Sequence, residues 1–229
     1  MGLGVRVGLG YNPRMGLFFA FDGIDGVGKT TQLQAFVDWL RGDGLAVTVC
    51  RDPGSTPLGE RLRGILLASD EATPIALRSE MLLYMAARAQ LVEEVIRPAL
   101  AAGRVVVSDR FLLANVVYQG HAGGLPVTEV RGVGVVATAG VRPDCTFLLD
   151  MDPVLAGARM QRTLDRVEGR GAAYRQRLRD GFLEEAAALG DCVRRIDAAQ
   201  SVAQVQEAVR RAAQPYLQQY GSRRSAAGR

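Results

Sequence analysis

Residues 17–31 read Leu-Phe-Phe-Ala-Phe-Asp-Gly-Ile-Asp-Gly-Val-Gly-Lys-Thr-Thr. Gly23 through Thr30 fits the spacing G-x-x-x-x-G-K-[ST], directly after an apolar strand-like run and directly before a helical pattern. Glycines at 23, 26 and 28 let the backbone wrap so that successive N–H groups face phosphate oxygens, and a helix starting near Thr30 adds its positive end. The candidate ATP-binding residues are therefore Gly23, Ile24, Asp25, Gly26, Val27, Gly28, Lys29, Thr30 and Thr31. In such a loop Lys29 reaches the β- and γ-phosphates, and the Thr30 hydroxyl takes a place on Mg²⁺. A glycine-rich turn that happens to precede a lysine is the competing account, and the strand and helix flanks argue against it.

Lys29 is the only lysine among 28 basic residues; the other 27 are arginine. A chain that otherwise uses arginine keeps its one lysine where a compact, flexible ammonium suits phosphates better than a planar fork. The same count removes rivals. A Ras-like or translation-factor GTPase reads guanine with N-K-x-D, and a protein kinase needs a second, strand-borne lysine. One histidine (His121) and three scattered cysteines (Cys50, Cys145, Cys192) give no zinc-type spacing. The cysteines read as reduced thiols, which places the protein in the cytoplasm. No apolar stretch approaches the roughly 20 residues of a membrane span.

Outward from the loop, apolar runs at 17–22, 46–51, 104–108, 145–150 and 193–197 alternate with amphipathic stretches at 31–41, 58–68, 77–102, 127–139, 154–164, 174–189 and 202–220. This pattern predicts an α/β fold with a five-stranded parallel sheet flanked by helices. A single domain spans residues 15–220. Residues 1–14 read as a loose extension before Met15, and 221–229 as a disordered basic tail with nothing apolar to bury. Ligands in such sheets gather beyond the carboxyl ends of the strands, in the loops after Phe21, Cys50, Val107 and Asp150.

Those loops carry further motifs: Arg51-Asp52-Pro53-Gly54-Ser55-Thr56-Pro57, then Tyr84-Met85-Ala86-Ala87-Arg88-Ala89-Gln90, then Asp109-Arg110-Phe111 with Asn115, Tyr118 and Gln119 following. With the first loop, and with Asp165-Arg166-Val167-Glu168, they resemble the thymidylate kinase patterns EG-x-[DE]-G-x-GKTT, REPGGTP, LFYAARxQ, DRY-x-x-S-x-x-AYQG and a lid DR-x-E. The resemblance runs in order from residue 15 to about 220. It implies a P-loop nucleoside monophosphate kinase-like fold, ATP as donor, dTMP as acceptor and a homodimer.

Residue by residue, the resemblance implies that Asp25 holds the surroundings of the sugar 3′-hydroxyl. Arg51 and Arg110 clamp the acceptor phosphate, for which bidentate guanidinium donors are suited. Tyr84 and Arg88, four apart on one helix face, would meet the base; Asn115, Tyr118 and Gln119 would line base and deoxyribose. Asp109, ending a strand, would hold Mg²⁺ with Thr30. In the bacterial type the lid supplies the arginines that close on the phosphoryl group, which points to Arg162 and Arg166 in a lid at about 160–172. His121 reads as a loop residue. The sequence departs from the family at Asp52, Ser55, Tyr84, Met85 and Ala114, all bordering the acceptor site. A kinase for another nucleotide such as dUMP and a non-catalytic nucleotide-binding protein are the alternatives.

The formal charge of +4 is unevenly spread. Residues 1–14, 151–180 and 221–229 carry +2, +3 and +3, leaving −4 on the rest. The basic character thus belongs to the ends and the lid, which speaks against nucleic acid as a partner.

Overall fold

The structure, a computed structural model, describes residues 16–68, 74–160 and 171–227. Five strands, β1 (Leu17–Asp22), β2 (Val47–Arg51), β3 (Val105–Asp109), β4 (Cys145–Asp150) and β5 (Val193–Asp197), form one sheet in the order β2-β3-β1-β4-β5. Every pairing is parallel. The predicted strands and the observed ones agree to within one residue at each end.

β1 is buried along its whole length, because helices cover both faces of a central parallel strand. Phe19 and Phe21 meet Phe36 and Phe147 on one side of the sheet. Phe18 packs edge-on to Phe111 on the other, 5.1 Å between ring centres. The edge strands β2 and β5 bury only part of their residues, Val47 and Cys50 in one and Val193 and Ile196 in the other.

The helices are α1 (Lys29–Gly42), α2 (Pro57–Leu67), α3 (Leu77–Leu91), α4 (Arg97–Ala101), α5 (Leu112–Asn115), α6 (Val127–Thr138), α7 (Pro153–Ala158), α8 (Ala172–Leu189) and α9 (Val202–Ala227). A π turn, Val92–Ile96, joins α3 to α4, and a second, Val116–His121, prolongs α5. His121 therefore ends a helical segment rather than lying in a loop. It is held between Glu184 and Glu185 of α8, with Nε2 2.7 Å from Glu185.

Two predicted helix ends differ. α7 stops at Ala158, where the N–H groups of Arg159 and Met160 turn back to the carbonyls of Ala156 and Gly157; positions 161–164 lie outside the described residues. α9 runs past Gly221 to Ala227, so the tail expected to be disordered from 221 begins as helix. Its anchor is Tyr220, 2% exposed, whose hydroxyl donates to the Gly103 carbonyl while Arg224 covers the ring. Residues 1–14 and most of the expected lid also lie outside the described residues.

The chain leaves β1 toward β3 and β2 on one side and β4 and β5 on the other, the switch in strand order beside which open α/β sheets bind ligands. Register aligns the carboxyl ends: Phe21 faces Asp109, and Asp109 faces Arg51. Behind them Asp150 takes both Arg179 of α8 (2.8 Å) and Arg195 of β5 (2.6 Å), tying α8 to the sheet.

Candidate active site

The loop after β1 turns on glycines with positive φ. At Gly26 (φ +86°) an added Cβ would lie 2.1 Å from the Ala156 carbonyl oxygen, so backbone meets backbone there. Gly28 (φ +91°) caps α1 in the left-handed region without a side-chain cap, which leaves the first-turn N–H groups of α1 to an anion. Lys29, buried, curls back over the loop. Its Nζ donates to the carbonyls of Gly23 (3.1 Å) and Ile24 (2.8 Å) and pairs with Asp25 at 3.2 Å. Burial, followed by the neighbouring Arg110, lowers its pKa, and Asp25 opposes the change.

Arg110, just past β3, adopts φ +66°. A left-handed arginine costs about 1–3 kcal/mol, and four acceptors hold it in place. Nη1 reaches the Gly23 carbonyl (2.9 Å) and Asp22 (3.3 Å); Nη2 reaches Asp25 (2.5 Å) and the Tyr118 hydroxyl (3.1 Å). The Tyr118 hydroxyl donates to the second oxygen of Asp25 at 3.0 Å, and the guanidinium lies over the Tyr118 ring. Burial works against ionisation of Asp25, but Arg110 and Lys29 outweigh it and hold the carboxyl well below the usual range.

Asp22 behaves differently. Burial drives its pKa up to about 7 against Arg110 and Lys29, and its Oδ2 is buried without a hydrogen-bond partner in the described structure. Asp22, Asp109 and Thr30 together offer hard oxygen donors of the kind Mg²⁺ takes, so the residues fit the metal.

A cavity of about 910 Å³ lies over the loop. Its walls bring together residues 25–31, Arg51, Asp109 and Arg110, all candidates from the sequence, and add Asp52. Gly23 and Ile24 sit behind, contributing carbonyls to Lys29. Arg51 is half exposed and paired with Glu60 at 3.0 Å. Sequence reasoning missed Arg63 of α2 and the far wall of Arg159, Gln200 and Ser201, and also Asp22, which sits behind the cavity and meets Arg110. No motif marks Arg63. Its Nη1 donates to the Pro53 carbonyl at 3.2 Å, and burial, then Arg51, lowers its pKa. Asp22 carried a legible signal, an acid closing an otherwise apolar strand.

The residues expected to meet the base are not on the cavity wall. Arg88, 1% exposed, spends its Nε on Asp52 (2.5 Å) and its Nη2 on the Phe111 carbonyl (3.3 Å); its Nη1 has the Met85 sulfur at 3.2 Å. Asn115 donates to Gln119 (2.7 Å), and Gln119 to the buried Glu80 (2.8 Å). Tyr84 is half-buried on α3. Of the group, Tyr118 joins the site, through Asp25 and Arg110.

Two sequence departures find a local reason here. Ser55 holds φ +62°, where glycine is strain-free, but its hydroxyl accepts the Arg51 N–H at 2.8 Å. Met85 supplies the sulfur that faces Arg88. Arg162 and Arg166 lie outside the described residues.

Known proteins share this chain's pattern over most of its length. The sequence model described as thymidylate kinase matches residues 21–209. A thymidylate kinase of Bifidobacterium longum (strain DJO10A) is 44% identical over 196 residues, covering 85% of this chain and 95% of the relative. One of an Exiguobacterium species (strain ATCC BAA-1283 / AT1b) is 43% identical over 198 residues, 85% of this chain and 92% of the relative. One of Rhodopirellula baltica is 41% identical over 198 residues, 86% and 80%. With the loop, the sheet order and the sequence all in agreement, the chain belongs to the thymidylate kinase family.

Proposed function

We propose that the protein transfers the γ-phosphoryl group of ATP to the 5′-phosphate of dTMP, giving dTDP. The observation that carries this reading is the convergence of Lys29, Asp25 and Arg110 on one cavity in a chain that matches the family over residues 21–209. The attacking oxygen of dTMP is already anionic, so no general base is required, in keeping with a chain that has a single histidine. The work is positioning and charge neutralisation.

In this reading the loop backbone and the first turn of α1 hold the ATP phosphates, and Lys29 leaves its carbonyl partners to follow the transferring group. Arg110 and Arg51 take the acceptor phosphate, with Arg63 a third guanidinium on the same wall. Asp25 and Tyr118 orient the sugar. Arg88, Tyr84, Asn115 and Gln119 attend the base, and Arg162 and Arg166 close from the lid. Thr30 and Asp109, with the unpartnered oxygen of Asp22, would hold Mg²⁺, which when bound neutralises charge on the phosphate oxygens.

The protein acts in the cytoplasm, without nucleic acid or membrane, as a homodimer. Among the described residues no helix is long and apolar enough to cross a membrane. Exposed Leu82 of α3 and Val135 and Val136 of the adjacent α6 support an apolar face for a second copy. The direct test is ADP release from Mg·ATP with dTMP, dUMP, dCMP and dGMP offered separately. Strong stimulation by dTMP is expected, and none above the other three would sink the reading.

A further inference from the structure

Arg51 ends β2 on the cavity wall, and its guanidinium is held by a residue that does not line the cavity, Glu60 in the first turn of α2. The turn between them is tied at both ends. Ser55, at φ +62°, takes the Arg51 N–H on its hydroxyl at 2.8 Å and gives its own N–H to Glu60 Oε1 at 2.7 Å. Gly54, at φ +138°, lies so close to the pair that an added Cβ would stand 2.6 Å from Glu60 Oε1 and 3.1 Å from Arg51 Nε. The backbone of the turn thus places the carboxylate. Both of its oxygens then accept from one nitrogen of Arg51, Nη2, at 3.0 Å each. Among the described residues, Nη1 and Nε of that guanidinium have no hydrogen-bond partner.

Glu60 also stands near a second cation. Arg51 and Arg63 share the wall; burial and then Arg51 lower the pKa of Arg63, and Glu60 opposes the change. The Ser55 N–H, and then Arg51, keep the Glu60 carboxyl below its ordinary value, so it is ionised at neutral pH.

We propose that Glu60 is a positioning residue for the acceptor phosphate, holding Arg51 by one nitrogen on the cavity wall so that Nη1 and Nε are already ordered for the 5′-phosphate of the incoming nucleotide. The inference rests on the reading of dTMP as acceptor and of Arg51 as a clamp on its phosphate. Without the anchor, a long and half-exposed side chain spreads over its rotamers and is repelled by Arg63, and the nucleotide must order it on binding. A half-exposed ion pair adds little to stability, so the effect falls on binding rather than on folding.

The test measures KM for dTMP and for ATP in the wild type, in Glu60→Gln, in Arg51→Gln and in the double variant. Glutamine keeps an acceptor for the Ser55 N–H and removes the charge. KM for dTMP should rise about fivefold, with KM for ATP and the melting temperature close to wild type. The sign is decisive, because taking a negative charge away from a site for a dianion would by itself tighten binding. A KM for dTMP that falls or stays unchanged therefore overturns the proposal. A rise in both KM values together with a lower melting temperature, the mark of a residue that only builds the turn, overturns it too. On the Arg51→Gln background Glu60→Gln should no longer raise KM for dTMP, and a second, additive rise contradicts action through Arg51. Should Glu60→Gln fail to fold by circular dichroism, Glu60→Asp, whose charge stops one methylene short of Arg51, takes its place with the same expectations. A wild type inert toward dTMP but active on another nucleotide contradicts the proposed function instead, and the same comparison of KM values on that nucleotide still decides the role of Glu60.

Discussion

The loop from Gly23 to Gly28 and the side chains packed behind Asp52 back onto one cavity from different sides and are built from different materials. The loop works with backbone: its shape comes from positive φ values and from a carbonyl packed where a Cβ would stand at Gly26. The Asp52 side works with buried side chains that find each other across 36 residues for Arg88 and Asp52 and 39 for Gln119 and Glu80. A backbone cradle tolerates changes in side chain but not in volume. A side-chain wall tolerates little loss of charge, because each group is the other's solvent.

Substitutions on each side sharpen the contrast. On the loop side, Lys29→Ala should lower turnover by about a thousandfold or more while circular dichroism and melting temperature stay close to wild type. Substantial residual turnover would show that the loop does not deliver its charge through this side chain. Behind Asp52 the expectation reverses. Arg88→Met strands a buried carboxylate and should cost about 3–5 kcal/mol of stability in urea denaturation, with part recovered when Asp52→Asn is added. An additive double variant would mean that the two groups are not coupled.

The third and smallest effect concerns Asp150, an ion cluster with one exposed arm, Arg195. Burial works against its ionisation, but the bonds from Arg179 and then Arg195 outweigh it and lower its pKa. A folded-state pKa below the unfolded value means that the unfolded chain binds more protons in acid, so this contribution rises with pH. It is complete above the ordinary aspartate pKa of about 3.9 and lost as pH falls through the lower folded-state value. Asp150→Asn should therefore cost about 1 kcal/mol near pH 7 and nothing in strong acid. A deficit that does not vary with pH would assign the residue a packing role.

What could be read in the sequence divides along the same line. The strands, the loop and the sheet class were legible because they are written in local pattern: apolar runs of five or six residues, glycines at fixed offsets, an acid at a strand end. The destination of Arg88 was not. Tyr84 and Arg88 do lie four apart on α3, but spacing says nothing of Asp52, which claims the guanidinium from the turn after β2. The π turn Val116–His121 was also hidden, since a β-branched pair, Val116-Val117, reads poorly as helix. It forms because α8 supplies partners: Tyr174 donates to the Tyr118 carbonyl, and Glu185 holds His121. Arg63 stands on a helix face that only the folded chain turns toward the cavity.

Lys29 has a consequence outside catalysis. As the one lysine of the chain, it is the only side-chain amine that reductive ¹³C-methylation can mark. In a carbon–proton spectrum its signal would share the amine region only with that of the chain's α-amino group. Because Lys29 Nζ sits among two carbonyls and a carboxylate, methyl groups placed on it would report nucleotide arrival directly, as a spectroscopic probe at the phosphate cradle.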